Sequence, residues 1–520
     1  MTRRLMAPAV LALAFFLLIA SSGPAAAQGW TTSGASILTP DGQRFIIAGV
    51  NWYGFETRNA VAHGMWTKDY RFILDLIKAN GSNVVRLPFS NEMWGTNPKP
   101  GANTISACPE CKGRRARDIM ALIVNYAGSI GLHVVLVNHR SNAGNSAQEN
   151  GLWYTSQYPE SIWIRDWLSI QEWAHGIPQT LGVADTVVVN PTASDGYPTI
   201  IGFDLRNEPH TPSRKKYLDA ATWGTGDGIN PSVNPNPNAF APSCVATSTC
   251  RDWRLAAQRA GNRLLGAALG RGWSYPLLFV EGISQTPTAS GTVATGPYDF
   301  YWWGGNLLGI NGNAGHPGAP IVFNAGGDAT SLGPPVPNQL VYSAHDYGPS
   351  LFAQPWFNGA TCYQSGCSGS SLADLWNRYW AHVSVAGGVN PQWPGHASFP
   401  WGNTGHTPYT QAPMWVGEFG TGNAAGDLDS TGPGSQGQWF TNLVNFIQSS
   451  FAPTAQNDSG IAVQDLHWTY WSFNGNDAYA IVNSSWSALS NPRKEFTFLC
   501  AIQQVAVGQC GSTGALPAPE

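Results

Sequence analysis

Eight short apolar segments punctuate the chain, most of them followed by a stretch with helical periodicity, and few folds accommodate that alternation. The first spans residues 44–54 (RFIIAGVNWYG), and the others 84–88, 133–139, 200–208, 276–281, 340–345, 414–418 and 466–471. Several are continuous apolar runs, the mark of strands covered on both faces. Between them, apolar residues recur on one face of a helix: Tyr70, Ile73, Leu74 and Ile77 within 67–80, and Ile119, Leu122, Ile123 and Tyr126 within 114–129. Further helices are expected over 162–181, 251–269, 371–385 and 436–449. Eight parallel strands with covering helices close into a single (β/α)8 TIM barrel, an α/β fold. The rest of the 520 residues falls in long loops at 211–250, from 281 to about 338, and up to 412. In such a barrel these βα-loop insertions rise on the face that carries the chemistry.

The ends of the strands are unlike their interiors. The fourth turns polar at Arg206-Asn207-Glu208 and stops at Pro209, which cannot extend a ladder. The seventh ends at Glu418, where Gly420 lets the chain turn away. Arg86 lies at the tip of the second strand, His139 of the third, His345 and Tyr347 of the sixth, and Trp471 of the eighth. Singly, each is better read as a capped strand or a core residue, and Arg86 as a buried partner of Asp204. Together they share one end of their strands, and in a barrel that end is one mouth. Two carboxylates at one cleft suit glycoside hydrolysis. Retention needs an acid/base whose pKa is raised by its neighbours and an ionised nucleophile about 5–5.5 Å away, favoured by a nearby arginine. Asn207 is placed to bind a sugar 2-hydroxyl, and Trp52, Trp302, Trp303 and Trp471 to stack on pyranose faces.

Composition agrees with a neutral, hydroxyl-rich ligand. Charged residues are only 11% of the chain, while Gly (59) and Trp (23) are abundant. No basic surface for a nucleic acid is in evidence. Arg3 and Arg4, the apolar run from Leu5 to Ala20 and the small residues Ala25-Ala26-Ala27 read as a signal peptide over 1–27, preferred to an uncleaved anchor. Its removal leaves 25 basic against 31 acidic residues, a net charge of −6. A secreted protein, extracellular or periplasmic, is expected, with a catalytic domain over 28–510, a short flexible tail over 511–520, a monomeric state and no contact with the membrane after cleavage. The eight cysteines fall into close pairs, Cys108/Cys111, Cys244/Cys250, Cys362/Cys367 and Cys500/Cys510, which in an exported chain read as local disulfides. Spacing alone leaves cross-pairing open, and Cys108-x-x-Cys111 also has the spacing of half a zinc site, although no second half accompanies it. Neither a His-Glu-x-x-His motif nor a Gly-x-Ser-x-Gly elbow occurs.

These motifs resemble glycoside hydrolase family 5. The likeness rests on residues 205–210 (LRNEPH), 416–420 (VGEFG), 83–88 (NVVRLP), 343–347 (SAHDY) and 468–471 (WTYW), ordered along nearly the whole mature chain. Residues 51–54 (NWYG) and 302–307 (WWGGNL) look most like the bacterial endo-β-1,4-glucanases of that family. The resemblance implies cleavage of β-1,4-glucan by double displacement without cofactor or metal. It implies Glu208 as acid/base, Glu418 as nucleophile, and Arg86, His139, Asn207, His345, Tyr347 and Trp471 as substrate-site residues. Hydrolysis of mannan, xyloglucan or another β-glucan is the rival within the class, and a non-catalytic carbohydrate-binding barrel the rival outside it. Two positions depart from the family pattern. Relatives often carry Asp-Arg-His where this chain has Val137-Asn138-His139, and His where it has Arg206. Strand alternation over 204–208 would set the Arg206 cation beside Glu208, lower the pKa of that acid and shift the pH optimum to the acidic side.

Overall fold

A computed structural model describes residues 29–211, 221–224, 250–285, 300–326 (apart from 311, 314, 315 and 318), 333–357, 372–385, 411–452 and 462–508. The expected signal peptide, most of the 211–250 insertion, Cys244, Cys362, Cys367, Cys510 and the tail over 511–520 lie outside the described residues.

All eight expected strands form. They are β1 (Ala48–Asn51), β2 (Val84–Ser90), β3 (His133–Arg140), β4 (Ile200–Asp204), β5 (Leu277–Glu281), β6 (Leu340–His345), β7 (Met414–Glu418) and β8 (His467–Tyr470). Each pairs in parallel with the next, and β8 returns to β1, so the sheet closes as a barrel. A period of two sorts the strand side chains between two cores. Val84, Val135, Ile201, Leu277, Phe279, Val341 and Trp415 pack with one another in one cluster, inside the barrel. Val85, Leu87, Val134, Leu136, Leu278, Val280, Met414 and Val416 belong to the other, between sheet and helices. The apolar pattern gives no sign of a small antiparallel sheet made of Thr31–Ser33, Ser36–Leu38 and Arg44–Phe45. Its Ile37, with the neighbouring Trp30, joins the interior cluster and plugs the barrel at the end away from the strand tips.

The helices follow the expected periodicity with shifted ends: the one expected over 162–181 spans 160–174, and the one expected over 251–269 spans 253–271. They include α1 (Tyr70–Ala79), α2 (Asn91–Thr96), α3 (Ala116–Ser129), α4 (Glu160–Ala174) and α5 (Trp253–Arg271). The stretch 371–385 divides into α6 (Leu372–Tyr379) and a 3-10 turn, Ala381–Ser384, while α7 (Ala425–Asp429) precedes α8 (Gln436–Ser449). Asp69 and Asp252 cap α1 and α5 by accepting from the backbone N–H groups of Arg71 and Leu255. Cys108 and Cys111 are joined in a disulfide, which removes the zinc reading for that pair. Cys250 and Cys500 are also disulfide-bonded, their expected partners lying outside the described residues. Among the described residues, no helix is long and apolar enough to cross a membrane.

The fourth strand departs from expectation in one respect. It stops at Asp204 rather than at Glu208. Beyond it Leu205 and Asn207 still donate backbone bonds to Phe279 O and Asn138 O, but Glu208 turns away with a left-handed backbone, φ of 49°. Period-two alternation therefore does not govern Arg206 and Glu208, and their expected common face does not exist.

Helices α4 and α5 are tied by a buried ion pair. Arg259 donates from Nε and Nη2 to the two oxygens of Glu160 at 2.7 and 2.8 Å, and Trp153 Nε1 donates to the same carboxylate at 2.8 Å. Glu160→Ala would strand the guanidinium without a counter-charge, at a cost of about 3–5 kcal/mol. A clearly lower thermal unfolding midpoint by calorimetry is expected for Glu160→Ala, with a smaller drop for Glu160→Gln.

Candidate active site

The barrel interior changes character over its last layer. Leu277 and Phe279 are apolar, but two residues further along the same face stands Glu281. Val84 is followed by Arg86, and Val341 by Ser343 and His345. Arg86 sits at the centre with no exposure. Its guanidinium donates to Asp204 Oδ2 (2.9 and 3.1 Å), Asn207 Oδ1 (2.8 Å), Asn51 Oδ1 (2.9 Å), Glu281 Oε1 (3.1 Å) and Glu418 Oε1 (2.5 Å). The bland sequence reading, a buried partner for Asp204, and the functional one, a support for the second glutamate, thus hold at once.

Glu418 is held from several sides. Register pairs it with His345 on β6, and Tyr347 Oη donates to its Oε2 at 2.9 Å. His139 Nε2 lies 3.7 Å from its Oε1. Burial alone would push the Glu418 pKa up, but the charges of His345 and Arg86, with His139 beside it, hold the pKa well below the usual carboxylate range. Glu208 lies across the site with its Oε1 2.9 Å from His345 Nδ1. Burial drives its pKa up to about 7; contact with His345 pulls the other way, and the charges of Glu418 and Glu281 add to the rise. Carboxylate oxygens of Glu208 and Glu418 and a nitrogen of His345 all lie within 4.8 Å of one another. One acid therefore has its pKa raised to about 7 and the other is held ionised, and the two face one another across the site.

Arg206 does not stand beside Glu208, which corrects the sequence expectation. Its guanidinium donates to Asn138 Oδ1 at 2.6 Å, to Leu152 O at 2.9 Å and to Ser141 Oγ at 3.3 Å, on the side of β3. The cation against Glu208 is His345 instead. Positions 138 and 206, the two expected to depart from the family pattern, touch each other.

A cleft of about 1150 Å3 crosses the mouth of the barrel above the two glutamates. Of the sequence-predicted residues, it is lined by Glu208, Glu418, His139, Tyr347, Trp302, Trp303 and Trp471. Arg86, His345 and Asn207 are buried beneath and reach a ligand mainly through the groups they hold. The Nδ2 of Asn207 has no hydrogen-bond partner among the described residues. Trp52 is a correction: it is fully buried, with Nε1 donating to His63 O at 2.8 Å, and it presents no face to the cleft. The next residue, Tyr53, lines the cleft and stacks on Trp471 with ring centroids 5.1 Å apart at 6°. At the other end Trp303, 45% exposed, stacks on His210 at 3.8 Å.

Sequence reasoning also passes over Glu281, although Leu277–Glu281 ends on an acid by the same design as β7. It misses Asp477, which lines the cleft together with Trp471 and Tyr53. No strand pattern announces a residue in the loop after β8. Among the described residues, Glu208, His345 and Glu418 lie close enough to share one metal ion. Their facing atoms are taken up by one another and by Arg86 and Tyr347.

Residues 39–389 match the family model described as cellulase (glycosyl hydrolase family 5). The chain is 30% identical over 498 residues to an endoglucanase of Paenibacillus polymyxa, covering 95% of this chain and 93% of that protein. It is 25% identical to the major extracellular endoglucanase of Xanthomonas campestris pv. campestris, over 92% of this chain and 72% of the other. Among solved structures, a hyperthermophilic endocellulase from Pyrococcus horikoshii superposes with a TM-score of 0.61 at 25% identity, over 91% of this chain and 98% of that one. A complex of the same endocellulase with cellotetraose gives 0.60 at 25% identity, over 92% and 98%.

A raised acid must hold its proton to act, so the rate falls as pH climbs through the pKa of Glu208. With Glu208 as the acid, the alkaline limb of the kcat/KM profile is expected near pH 7. Arg206→Gln is expected to leave that limb in place; a shift of the limb to higher pH in this variant would restore the influence of Arg206 on the acid.

Proposed function

Because the chain belongs to glycosyl hydrolase family 5 and is a cellulase-like glycoside hydrolase, we propose that it cuts β-1,4-glucan at internal linkages with retention of configuration, using Glu208 and Glu418. The single observation that carries this reading is the pair of opposed carboxylates within 4.8 Å, one with its pKa raised and the other with its pKa lowered. In the first step the ionised Glu418 attacks the anomeric carbon while Glu208 gives its proton to the departing glycosidic oxygen. The bond to the leaving sugar breaks and a sugar ester on Glu418 forms. In the second step the Glu208 carboxylate takes a proton from water, the water oxygen attacks the anomeric carbon, and Glu418 leaves as carboxylate.

The neighbours serve that sequence. Tyr347 and Arg86 aim the two Glu418 oxygens, so the nucleophile needs little reorganisation. The free Nδ2 of Asn207 offers a donor to a sugar hydroxyl. The stacked Tyr53–Trp471 pair gives a flat apolar face on one side of the glutamates and the Trp303–His210 pair on the other. A cleft with platforms on both sides accepts a chain running through it, which favours internal cutting. The names of the relatives agree: endoglucanases, and an endocellulase solved with cellotetraose. Export after removal of residues 1–27 and action as a monomer complete the reading; one of the relatives is named as extracellular.

Glu418→Gln is expected to lower kcat on cello-oligosaccharides by about a thousandfold or more, because the variant has no nucleophile to form the ester. Proton NMR of the fresh product should show the β-anomer first; the α-anomer first would remove the double displacement. On soluble cellulose derivatives, viscosity should collapse well before reducing ends accumulate, and a proportional decline would point to cutting from chain ends.

A further inference from the structure

Glu281 takes no part in the double displacement as written, yet its carboxylate is completely buried at the tip of β5 and touches three partners of that reaction. Its Oε2 accepts from the backbone N–H of Glu208 at 2.7 Å. Its Oε1 lies 3.1 Å from Arg86 Nη2 and 3.2 Å from His345 Nε2, the latter an ion-pair contact off the line of a straight hydrogen bond. His345 turns its other nitrogen to Glu208 at 2.9 Å. The backbone that Glu281 grips is the one with the left-handed φ of 49°, which a glutamate holds only when its surroundings impose it. The room that Glu281 occupies is itself kept clear. Gly304, with φ of 72°, packs so closely that a Cβ there would stand 2.3 Å from Glu281 Oε2.

We propose that Glu281 is a positioning residue for the acid/base: it fixes the backbone of Glu208 and anchors the His345 ring that faces the Glu208 carboxyl. The proposal rests on Glu208 being the acid/base. The charged and titratable groups around Glu281 are Arg86 from β2, His139 from β3, Asp204 at the end of β4 with Arg206 and Glu208 just beyond it, and His345 from β6, with Glu418 of β7 on the far side of His345. Burial pulls the His345 pKa down, but the charges of Glu281 and Glu418 hold it well above the usual histidine value. His345 thus keeps a proton on Nδ1 to donate to Glu208 Oε1, and the acidic proton of Glu208 is left on Oε2, free for the leaving oxygen. Without the Glu281 carboxylate, His345 loses its counter-charge and Glu208 loses both its backbone anchor and its oriented neighbour.

The test separates protonation of the leaving group from everything else. Wild type, Glu208→Gln, Glu281→Gln and Glu281→Asp are compared by kcat/KM on cellotetraose and on 2,4-dinitrophenyl β-cellobioside, whose leaving group departs without help from an acid. Glu281→Gln is expected to lose about tenfold to a hundredfold on cellotetraose but only a few-fold on the activated substrate. Glu281→Asp keeps the charge but draws it back by one methylene, folds under a milder perturbation, and is expected to show the same split on a smaller scale. Equal losses on both substrates in the Glu281 variants would overturn the proposal. Should Glu208→Gln itself show no split, the assignment of the acid/base falls instead, so the two failures are distinguishable.

Discussion

The guanidinium of Arg86 is the fixed point around which the upper barrel is built. It is wholly buried, and it spans Asp204, Asn207, Glu281, Glu418 and Asn51 from four different strands or their tips. An isolated charge at that depth would be prohibitive, and so would any of the carboxylates alone. Together they satisfy one another, and every member is held by the others. Such a network is rigid because removing any piece leaves a buried charge unpaired.

Rigidity of this kind separates the two glutamates. Both stand at strand tips, and in sequence they are chemically the same residue. Glu418 faces Arg86, His345 and His139, and its negative charge is stabilised. Glu208 lies at the edge of the network, buried but with a single cation in contact, so its proton is retained up to about pH 7. Environment alone sets the two carboxyl groups apart in protonation. Arg206 fits the same picture: its guanidinium is directed towards Asn138, Ser141 and Leu152, away from the acid.

Above the network the cleft is made by loops rather than strands, and there sequence reading served less well. Trp52 and Tyr53 are adjacent aromatics at the end of β1, and period-two alternation sends one inward and the other to the ligand. Pattern cannot say which without knowing where β1 ends. Asp477 and Tyr479 enter the cleft from a loop with no periodicity of its own. The small sheet over 31–45 escapes notice for the converse reason: its strands are two or three residues long, too short to establish a period.

The sequence by itself determined the barrel, because eight apolar runs and their intervening helical stretches have no other economical closure. It also led to one mouth for His139, Glu208, His345, Tyr347 and Glu418, because each stands at or just beyond the end of a strand, whereas Arg86 lies within β2 and meets them from the barrel interior. Only the tertiary structure decided which acid keeps its proton, where Arg206 points and what Glu281 holds. Those outcomes depend on distances of a few ångströms between residues hundreds of positions apart. The left-handed turn at Glu208 is held by a distant residue, Glu281, which accepts from its backbone N–H.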